Sequence, residues 1–315
     1  MIAFLKLIRW PNLLIIVLTQ YLMRYFVIKP MLDLSGIELI LNHTHFFLLV
    51  FSTVLIAASG YIINDYFDTQ IDSINRPGTV VVGTLIKRRV AIASHFMLSI
   101  IGIFLAFYVG LKAGEYKLGI IHFIASGLLW FYSTDFKRRP LIGNFIVGIL
   151  AGMVPLIVPL FEVPSLNESY SSILVETGTN FNFLFYFPAG FGAFAFLLSL
   201  IREIIKDIED YKGDEAFGLN TLPISSGIRK AKNLAIGLIF FTVILLGFLQ
   251  FRQLKNDDTL SFSYILLVVQ IPLLYLAYRV KQADTPEEYH AASSFTKLIM
   301  ILGILYSALI FTILR

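Results

Sequence analysis

Long apolar runs alternate with short polar segments along nearly the whole chain. Because a hydrocarbon core of about 30 Å needs about 20 apolar residues per helix, each of these runs is a candidate membrane span. There are nine of them, roughly at residues 12–29, 45–63, 90–111, 118–134, 141–161, 182–201, 233–251, 260–278 and 298–314. No small-residue cleavage site follows the first run, so we interpret it as a retained helix and not as a signal peptide. The pattern predicts an all-α, multi-pass bundle that forms a single transmembrane domain over residues 1–315.

The distribution of basic residues predicts the orientation of this bundle. If the N-terminus is cytoplasmic, 18 of the 25 Lys and Arg residues fall in cytoplasmic segments, and 7 fall outside. Cytoplasmic loops of membrane proteins carry such an excess, so we expect an N-in, C-out topology. Arg24 and Lys29, at the outer end of the first run, are expected to extend their charged groups to the membrane surface.

Composition supports an integral membrane protein and excludes several chemistries. The chain is 57% hydrophobic and only 15% charged, which is outside the usual range of soluble domains. It has no cysteine, so disulfides, thiolate metal sites and cysteine nucleophiles are excluded. The net charge of +4 does not require a nucleic-acid partner, because a basic cytoplasmic rim facing anionic lipid accounts for it. We therefore expect a multi-pass protein of the cell membrane with membrane lipid as its surroundings.

Six aspartates stand out against this apolar background, in two groups with the same spacing of 3 and 4 residues. The first acidic group, in "NDYFDTQID", is Asp65, Asp68 and Asp72, and the second, in "KDIEDYKGD", is Asp207, Asp210 and Asp214. On a helix this spacing places all three carboxylates on one face, where they repel one another. Charges near hydrocarbon are also costly, so the pattern favours cation binding. Oxygen-only ligands suit Mg²⁺, and we predict a Mg²⁺-bridged phosphate or diphosphate site between the two groups at the cytoplasmic side.

Rival classes explain the pattern less well. A cation-coupled transporter or channel would be expected to place its carboxylates near the bilayer midplane, whereas both groups follow the cytoplasmic ends of predicted spans. A CDP-alcohol phosphotransferase would carry a D-G-x-x-A-R signature, which this chain lacks. His95 and His122 lie within predicted spans without a second ligand at metal-binding spacing, so we expect hydrogen-bonded structural roles.

Both acidic segments resemble the signatures of a known family. "NDYFDTQIDSINRP" and "REIIKDIEDYKGDEAFGLNTLPI" are similar to the two aspartate-rich motifs of the UbiA-type intramembrane prenyltransferases. "YSTDFKRRPLIGNFIVG" at 132–148 and "RWPN" at 9–12 resemble further segments of that family, so the resemblance covers essentially the whole chain. It implies the family's nine-helix, N-in fold and Mg²⁺-dependent transfer of a prenyl group from an isoprenyl diphosphate.

The resemblance also implies roles for particular residues. All six aspartates of the two acidic groups are expected to bind metal. Catalytic roles are expected for Asp68, Asp72, Asp210, Asp214 and Lys137. Contacts with substrate are expected from Asn64, Arg76, Tyr132, Asn144, Arg202 and Lys206. Aromatic rings among the helices would shield an allylic carbocation.

The acceptor stays open at this point. Many family members continue the first motif with a second Arg-Pro pair, whereas this chain has Thr79 and Val80 after Arg76 and Pro77. Thr69 stands where aromatic-acceptor members often have Arg. The second motif is most similar to the digeranylgeranylglyceryl phosphate synthase branch, which predicts the hydroxyl of geranylgeranylglyceryl phosphate as acceptor. The alternative is an aromatic acceptor such as 4-hydroxybenzoate or a quinone precursor.

Overall fold

The structure is a computed structural model and describes residues 2–76 and 78–314. Within these residues, eight helices are long and apolar enough to cross a membrane. In chain order, with one shorter helix (α4) among them, the main helices are α1 Trp10–Asp33, α2 His43–Asn75, α3 Arg88–Lys112, α4 Gly119–Thr134, α5 Ile142–Ser169, α6 Phe181–Glu209, α7 Ile228–Lys255, α8 Thr259–Gln282 and α9 Pro286–Ile313. The predicted all-α, multi-pass architecture is confirmed.

Helix α4 corresponds to the predicted span at 118–134, the one predicted span that is not among these eight. It has 16 residues and follows a 3₁₀ turn, Tyr116–Leu118. At about 1.5 Å per residue it is about 24 Å long, which is shorter than a hydrocarbon core of about 30 Å. The nine-span count and the N-in, C-out orientation therefore stay predictions.

Two of the long helices contain a π-helical stretch, and a proline explains each one. The stretches are Met23–Ile28 in α1 and Ile265–Gln270 in α8, and Pro30 and Pro272 each lie two residues after the end of a stretch. Proline has no backbone N–H and its ring collides with the carbonyl four residues earlier, so the helix widens locally to keep its carbonyls paired.

Short helices occupy several of the connections. They are Ile2–Leu7, the 3₁₀ turn Phe136–Arg138, Ser171–Thr177, Tyr211–Ala216 and Leu222–Ser226.

The chain folds into two compact units. Unit 1 contains the described residues of 1–134, residues 153–190 and residue 314, and unit 2 contains residues 135–152 and 191–313. In unit 1, α2 packs against α1, α3 and α4. In unit 2, α8 packs against α7 and α9 around buried aliphatic side chains that include Ile204, Ile239, Leu273, Leu276 and Ile299.

A close helix crossing in unit 2 depends on glycine. A Cβ atom added at Gly152 of α5 would lie 2.9 Å from the backbone oxygen of Gly192 in α6. A backbone atom cannot move aside as a side chain can, so only glycine fits at this crossing.

Large apolar side chains cover the outer surfaces of the helices. Phe104 of α3 and Phe248 of α7 are 72% and 70% exposed. Such exposure would cause aggregation in water but is favourable against lipid tails. The chain is therefore a multi-pass integral membrane protein.

The histidines and charged residues within the helices have structural partners. His95 Nδ1 lies 3.0 Å from the Ser59 carbonyl oxygen, and His122 Nε2 lies 3.1 Å from Thr53 Oγ1, which confirms the expected hydrogen-bonded roles. The expectation for Arg24 is wrong: its side chain is only 1% exposed and pairs with Glu162 of α5. Burial between α1 and α5 provides a carboxylate inside the protein, so the guanidinium does not need to reach the membrane surface.

Candidate functional site

The first acidic group lies on the last turns of α2 in unit 1. Asp65, Asp68 and Asp72 all fall within this continuous helix, so the expected one-face arrangement is confirmed. The helix has 33 residues, or about 50 Å at about 1.5 Å per residue, which exceeds the membrane's hydrocarbon thickness. The helix is therefore long enough for its acidic last turns to extend beyond the hydrocarbon.

Arg9 contacts this group, a role that the sequence reasoning missed. Its Nη2 donates a hydrogen bond to Asp65 Oδ1 at 2.8 Å, and its guanidinium carbon lies 5.1 Å from the centre of the Tyr61 ring. Arg9 sits between the helix Ile2–Leu7 and α1 with φ 51° and ψ 51°. This left-handed conformation costs a non-glycine residue roughly 1–3 kcal/mol, and the contact with the carboxylate offsets that cost. The signal in the sequence was the "RWPN" segment.

Another arginine lies beside the first acidic group. Arg88, at the start of α3, donates from Nη1 to Thr69 Oγ1 at 3.3 Å, and its guanidinium carbon lies 4.2 Å from the centre of the Tyr66 ring. From the sequence, Arg88 contributed only to the predicted topology. Thr69 stands directly after Asp68, where aromatic-acceptor members of the family often have Arg. The fold thus places the guanidinium of Arg88 next to this position.

The segment after the first motif packs within unit 1. Helix α2 continues to Asn75 and α3 begins at Arg88, so residues 76–87 form the connection between them. Val81 and Val82 are buried in a cluster with Leu7 of the N-terminal helix. Arg76 follows α2 directly, whereas Pro77 of the motif lies outside the described residues.

The second acidic group lies in unit 2, and the helix that carries it is interrupted. Helix α6 ends at Glu209, Asp210 has φ −89° and ψ 6°, and Asp214 lies in the separate helix Tyr211–Ala216. The three carboxylates are therefore not carried by one continuous helix, and their shared face stays a prediction. Asp and Gly are weak helix formers, so the "EDYKGD" segment favours an interruption of the helix.

Polar contacts orient the α6 part of this group. Asn144 Nδ2 donates to Asp207 Oδ2 at 2.7 Å, and the Asn144 side chain is buried. Arg202 Nη1 donates to Glu203 Oε1 at 2.9 Å, and Lys206 Nζ lies 3.5 Å from Glu203 Oε2. Glu203 was missed by the sequence reasoning, although it lies four residues before Asp207 and extends the acidic spacing by one turn.

The segment 135–141 runs beside the second acidic group within unit 2. The Asn220 N–H donates to the Arg138 carbonyl oxygen at 3.0 Å, and the Leu219 N–H donates to the Asp214 carbonyl oxygen at 2.9 Å. Lys137 lies in the 3₁₀ turn Phe136–Arg138 of this segment.

The expected site residues are divided between the two units. Unit 1 holds the first acidic group with Asn64, Arg76 and Tyr132, and unit 2 holds the second acidic group with Lys137, Asn144, Arg202 and Lys206.

The donor set of both acidic groups fits Mg²⁺. No cluster of three or more Asp, Glu or His side chains close enough to hold a metal occurs in residues 2–76 and 78–314. Mg²⁺ sites of the phosphate-binding kind need only one or two carboxylates, because waters and phosphate oxygens complete the octahedron. Carboxylates such as those of Asp68 and Asp72, one turn apart on α2, match that requirement.

The helical membrane fold and the two aspartate motifs are the features that the resemblance to intramembrane prenyltransferases led us to expect. The sequence model of the UbiA prenyltransferase family matches residues 36–307, so the chain belongs to that family and is a prenyltransferase. The prediction of family and enzyme class is confirmed.

Curated relatives and solved structures agree with this assignment. Digeranylgeranylglyceryl phosphate synthase of Methanosphaera stadtmanae is 31% identical over 267 residues, which cover 84% of this chain and 88% of the relative. The synthase of the same name from Thermococcus sibiricus is 32% identical over 260 residues, 82% of each chain.

Among solved structures, one from a study of digeranylgeranylglyceryl phosphate synthase in membranes is 25% identical, with a TM-score of 0.60, and covers 97% of this chain and 98% of that one. A UbiA homologue of Archaeoglobus fulgidus, bound to DMAPP and Mg²⁺, has a TM-score of 0.59 and 20% identity, with 99% of both chains covered.

Proposed function

We propose that this protein transfers a geranylgeranyl group from its diphosphate to the hydroxyl of geranylgeranylglyceryl phosphate, with Mg²⁺ as cofactor. The observation that carries this proposal is the similarity, over more than four fifths of the chain, to relatives named digeranylgeranylglyceryl phosphate synthase. The second acidic motif, most similar to that branch, supports the same acceptor.

The proposed Mg²⁺ sites are the two acidic groups. The Archaeoglobus fulgidus homologue was solved with DMAPP and Mg²⁺, and this chain has the oxygen donors that such a metal needs. Bound Mg²⁺ would neutralise negative charge that develops on the departing diphosphate. The prediction that both groups act on one diphosphate rests on the motif resemblance.

The proposed reaction replaces one carbon–oxygen bond by another. The bond between the allylic carbon and the diphosphate breaks, and diphosphate leaves with the electron pair. The acceptor hydroxyl oxygen attacks that carbon to form the ether bond, and the released diphosphate takes up the hydroxyl proton. Basic side chains near the leaving group stabilise the charge that accumulates there.

Residues of this chain would bind and orient the donor. Lys137, Arg202 and Lys206 are the proposed phosphate contacts in unit 2, with the latter two positioned by Glu203. Asn144 would hold the Asp207 carboxylate in one orientation, since an amide hydrogen bond to a metal-ligating carboxylate fixes its direction. Asn64, Arg76 and Tyr132 are the proposed substrate contacts in unit 1.

We further propose nine spans in an N-in, C-out orientation, one catalytic domain over residues 1–315, and an active site at the cytoplasmic side. The distribution of basic residues supports this topology. Because the chain has no cysteine, single cysteines at the exposed positions Ser171 and Lys230 can be labelled cleanly. A membrane-impermeant maleimide should label Ser171→Cys on intact cells, and Lys230→Cys only after permeabilisation; the reverse pattern would refute the orientation.

The activity is tested with the purified protein in lipid nanodiscs. Labelled geranylgeranyl diphosphate is supplied with geranylgeranylglyceryl phosphate in one reaction and 4-hydroxybenzoate in another, each with Mg²⁺ or with EDTA. We expect a labelled ether lipid in the first reaction only, and none with EDTA. Asp68→Asn and Asp210→Asn should abolish transfer, while the matched control Asp33→Asn, which removes an exposed carboxylate paired with Lys29, should not.

Each other outcome changes the proposal in a defined way. If product forms only with 4-hydroxybenzoate, the protein is still a prenyltransferase, but its acceptor is aromatic. Wild-type turnover by both aspartate variants would refute the site assignment. Full activity in EDTA would refute the metal requirement.

A further inference from the structure

A cavity of about 650 Å³, lined by both polar and apolar side chains, lies in unit 2 beside the second acidic group. It is formed by the end of α6 and the start of the following short helix, the first turns of α7, the end of α8 and the start of α9. Four basic side chains from these elements line it: Lys212, Arg229, Lys232 and Lys281. The reaction described above uses none of them.

Two carboxylates also line the cavity, and each has a partner. Glu209 is 7% exposed, and its Oε1 lies 2.9 Å from His290 Nδ1. Asp284 Oδ1 lies 3.4 Å from Lys232 Nζ, which also donates to the Ala283 carbonyl oxygen at 2.6 Å. Lys232 therefore already has a carboxylate and a carbonyl oxygen as partners.

The other three cations carry the excess charge of the cavity. Lys212, Arg229 and Lys281 are exposed, and within residues 2–76 and 78–314 no carboxylate forms an ion pair with them. Like charges that line one cavity repel one another, and an anion between them would remove that repulsion. Lys and Arg are the side chains that bind phosphate oxygens in proteins.

The cavity also contains an apolar part. Ile208, Ile228, Ile236 and the buried Tyr289 contribute to its lining. Helix α7 begins at Ile228 with no acidic residue in its first turn and no side-chain cap from Gly227, so the positive end of its dipole also favours an anion. A volume of about 650 Å³ is far larger than one phosphate ion and accommodates a glycerol phosphate with the start of an acyl or prenyl chain.

The geometry points to a phosphate-binding site in this cavity, with Arg229 and Lys281 as the principal contacts and Lys212 closing it from the side of the second acidic group. The chemistry recognised is a phosphate group that carries net negative charge, either on the headgroup of a membrane lipid or as the free ion. Basic pockets between the ends of membrane helices bind lipid headgroups in this way. This site does not depend on the proposed acceptor.

The test measures thermal stabilisation of the purified full chain in neutral detergent. The added probes are inorganic phosphate, dioctanoyl phosphatidylglycerol and, as a zwitterionic comparison, dioctanoyl phosphatidylcholine. We expect phosphatidylglycerol or inorganic phosphate to raise the melting temperature in a saturable and salt-sensitive manner, and phosphatidylcholine to have no such effect. Saturation by phosphatidylglycerol alone identifies a lipid headgroup, and saturation by inorganic phosphate as well identifies the phosphate group itself as sufficient.

Variants of the basic residues locate the binding. Arg229→Gln with Lys281→Gln should raise the apparent Kd about tenfold or more, because each cation near a membrane surface contributes measurably to anion binding. The matched control is Lys230→Gln, an exposed lysine in the same turn of α7 that does not line the cavity. Lys281→Arg should retain binding, which separates loss of charge from loss of folding.

Two results would overturn the inference. One is an unchanged Kd in the double variant, and the other is an equal loss in Lys230→Gln, which would indicate general surface charge. Failure of the prenyl-transfer assay would not affect this experiment, since its readout is binding.

Discussion

Replacing Glu162 by Gln tests how strongly a buried ion pair holds α1 to α5 within unit 1. Glu162 Oε2 lies 3.3 Å from Arg24 Nε, and its Oε1 lies 3.4 Å from Arg24 Nη2. Oε1 also accepts a hydrogen bond from the Leu41 N–H at 3.3 Å, and Arg24 Nη2 donates to the Leu41 carbonyl oxygen. Gln keeps the shape and an acceptor for Leu41 but removes the charge that balances the guanidinium.

Burial sets the magnitude of the effect. The side chains of Arg24 and Glu162 are 1% and 0% exposed, so water cannot replace the lost carboxylate. At an effective dielectric constant of about 20, two unit charges about 4 Å apart interact by about 4 kcal/mol. Removing one partner of a buried pair costs about 3–5 kcal/mol in measured cases. We therefore expect Glu162→Gln to lower the free energy of unfolding by about 3–5 kcal/mol.

The assay is SDS titration of the purified protein in mixed micelles, followed by far-UV circular dichroism. The matched control is Asp33→Asn, because Asp33 pairs with Lys29 at the shorter distance of 2.8 Å but both side chains are about half exposed. Exposed pairs contribute about 0–1 kcal/mol, so the control should change stability little. The exposed pair of Lys29 and Asp33, although shorter, is thus expected to contribute less to the free energy of unfolding than the buried pair of Arg24 and Glu162.

A second substitution gives the result that would refute this reasoning. Arg24→Met added to Glu162→Gln removes the unbalanced charge, so the double variant should be more stable than Glu162→Gln alone. If the double variant is less stable, or if Glu162→Gln costs no more than Asp33→Asn, the buried charge does not control stability here.

Three further predictions follow from particular contacts. Asn144→Ala should raise the Mg²⁺ concentration needed for half-maximal transfer about tenfold or more, because Asp207 loses the amide that orients it; the check is a Mg²⁺ titration of activity. Gly152→Ala should lower the free energy of unfolding by about 1–3 kcal/mol through the clash at the helix crossing, whereas Gly237→Ala, with open space around it, should raise it by up to about 1 kcal/mol. Arg9→Gln should lower the free energy of unfolding by about 1–2 kcal/mol in the same assay, because the carboxylate of Asp65, which Arg9 contacts, is partly buried.

Each of these predictions has a contradicting outcome. An unchanged Mg²⁺ requirement in Asn144→Ala, with transfer intact, would mean that the amide does not orient a metal-binding carboxylate. Stabilisation by Gly152→Ala would show that helix propensity outweighs the backbone contact. A neutral effect of Arg9→Gln would mean that the left-handed backbone at this position, and not the ion pair, fixes the N-terminal turn.

The sequence alone determined the class of protein and most of its organisation. Apolar runs of membrane length are a local property, so the positions of the main helices followed from composition along the chain. The spacing of Asp65, Asp68 and Asp72 also predicted their shared helix face correctly, because the helix continues through them. The two aspartate motifs were sufficient to predict the prenyltransferase family.

Only the tertiary structure decided which distant residues meet. Arg24 and Glu162 are 138 positions apart, and Asn144 and Asp207 are 63 apart, so no local pattern pairs them. The interruption of the helix at Asp210 could not be predicted from the sequence either, because a spacing of 3 and 4 residues is compatible with a continuous helix but does not require one.

The difference has a physical cause. Transfer of apolar residues into lipid and hydrogen bonding within a helix both depend on residues that are close in sequence. The positions of membrane helices can therefore be predicted from the sequence. The partner of a buried charge depends on which helices pack together. That choice belongs to the whole fold, and it turned Arg24, an expected surface residue, into part of the interior.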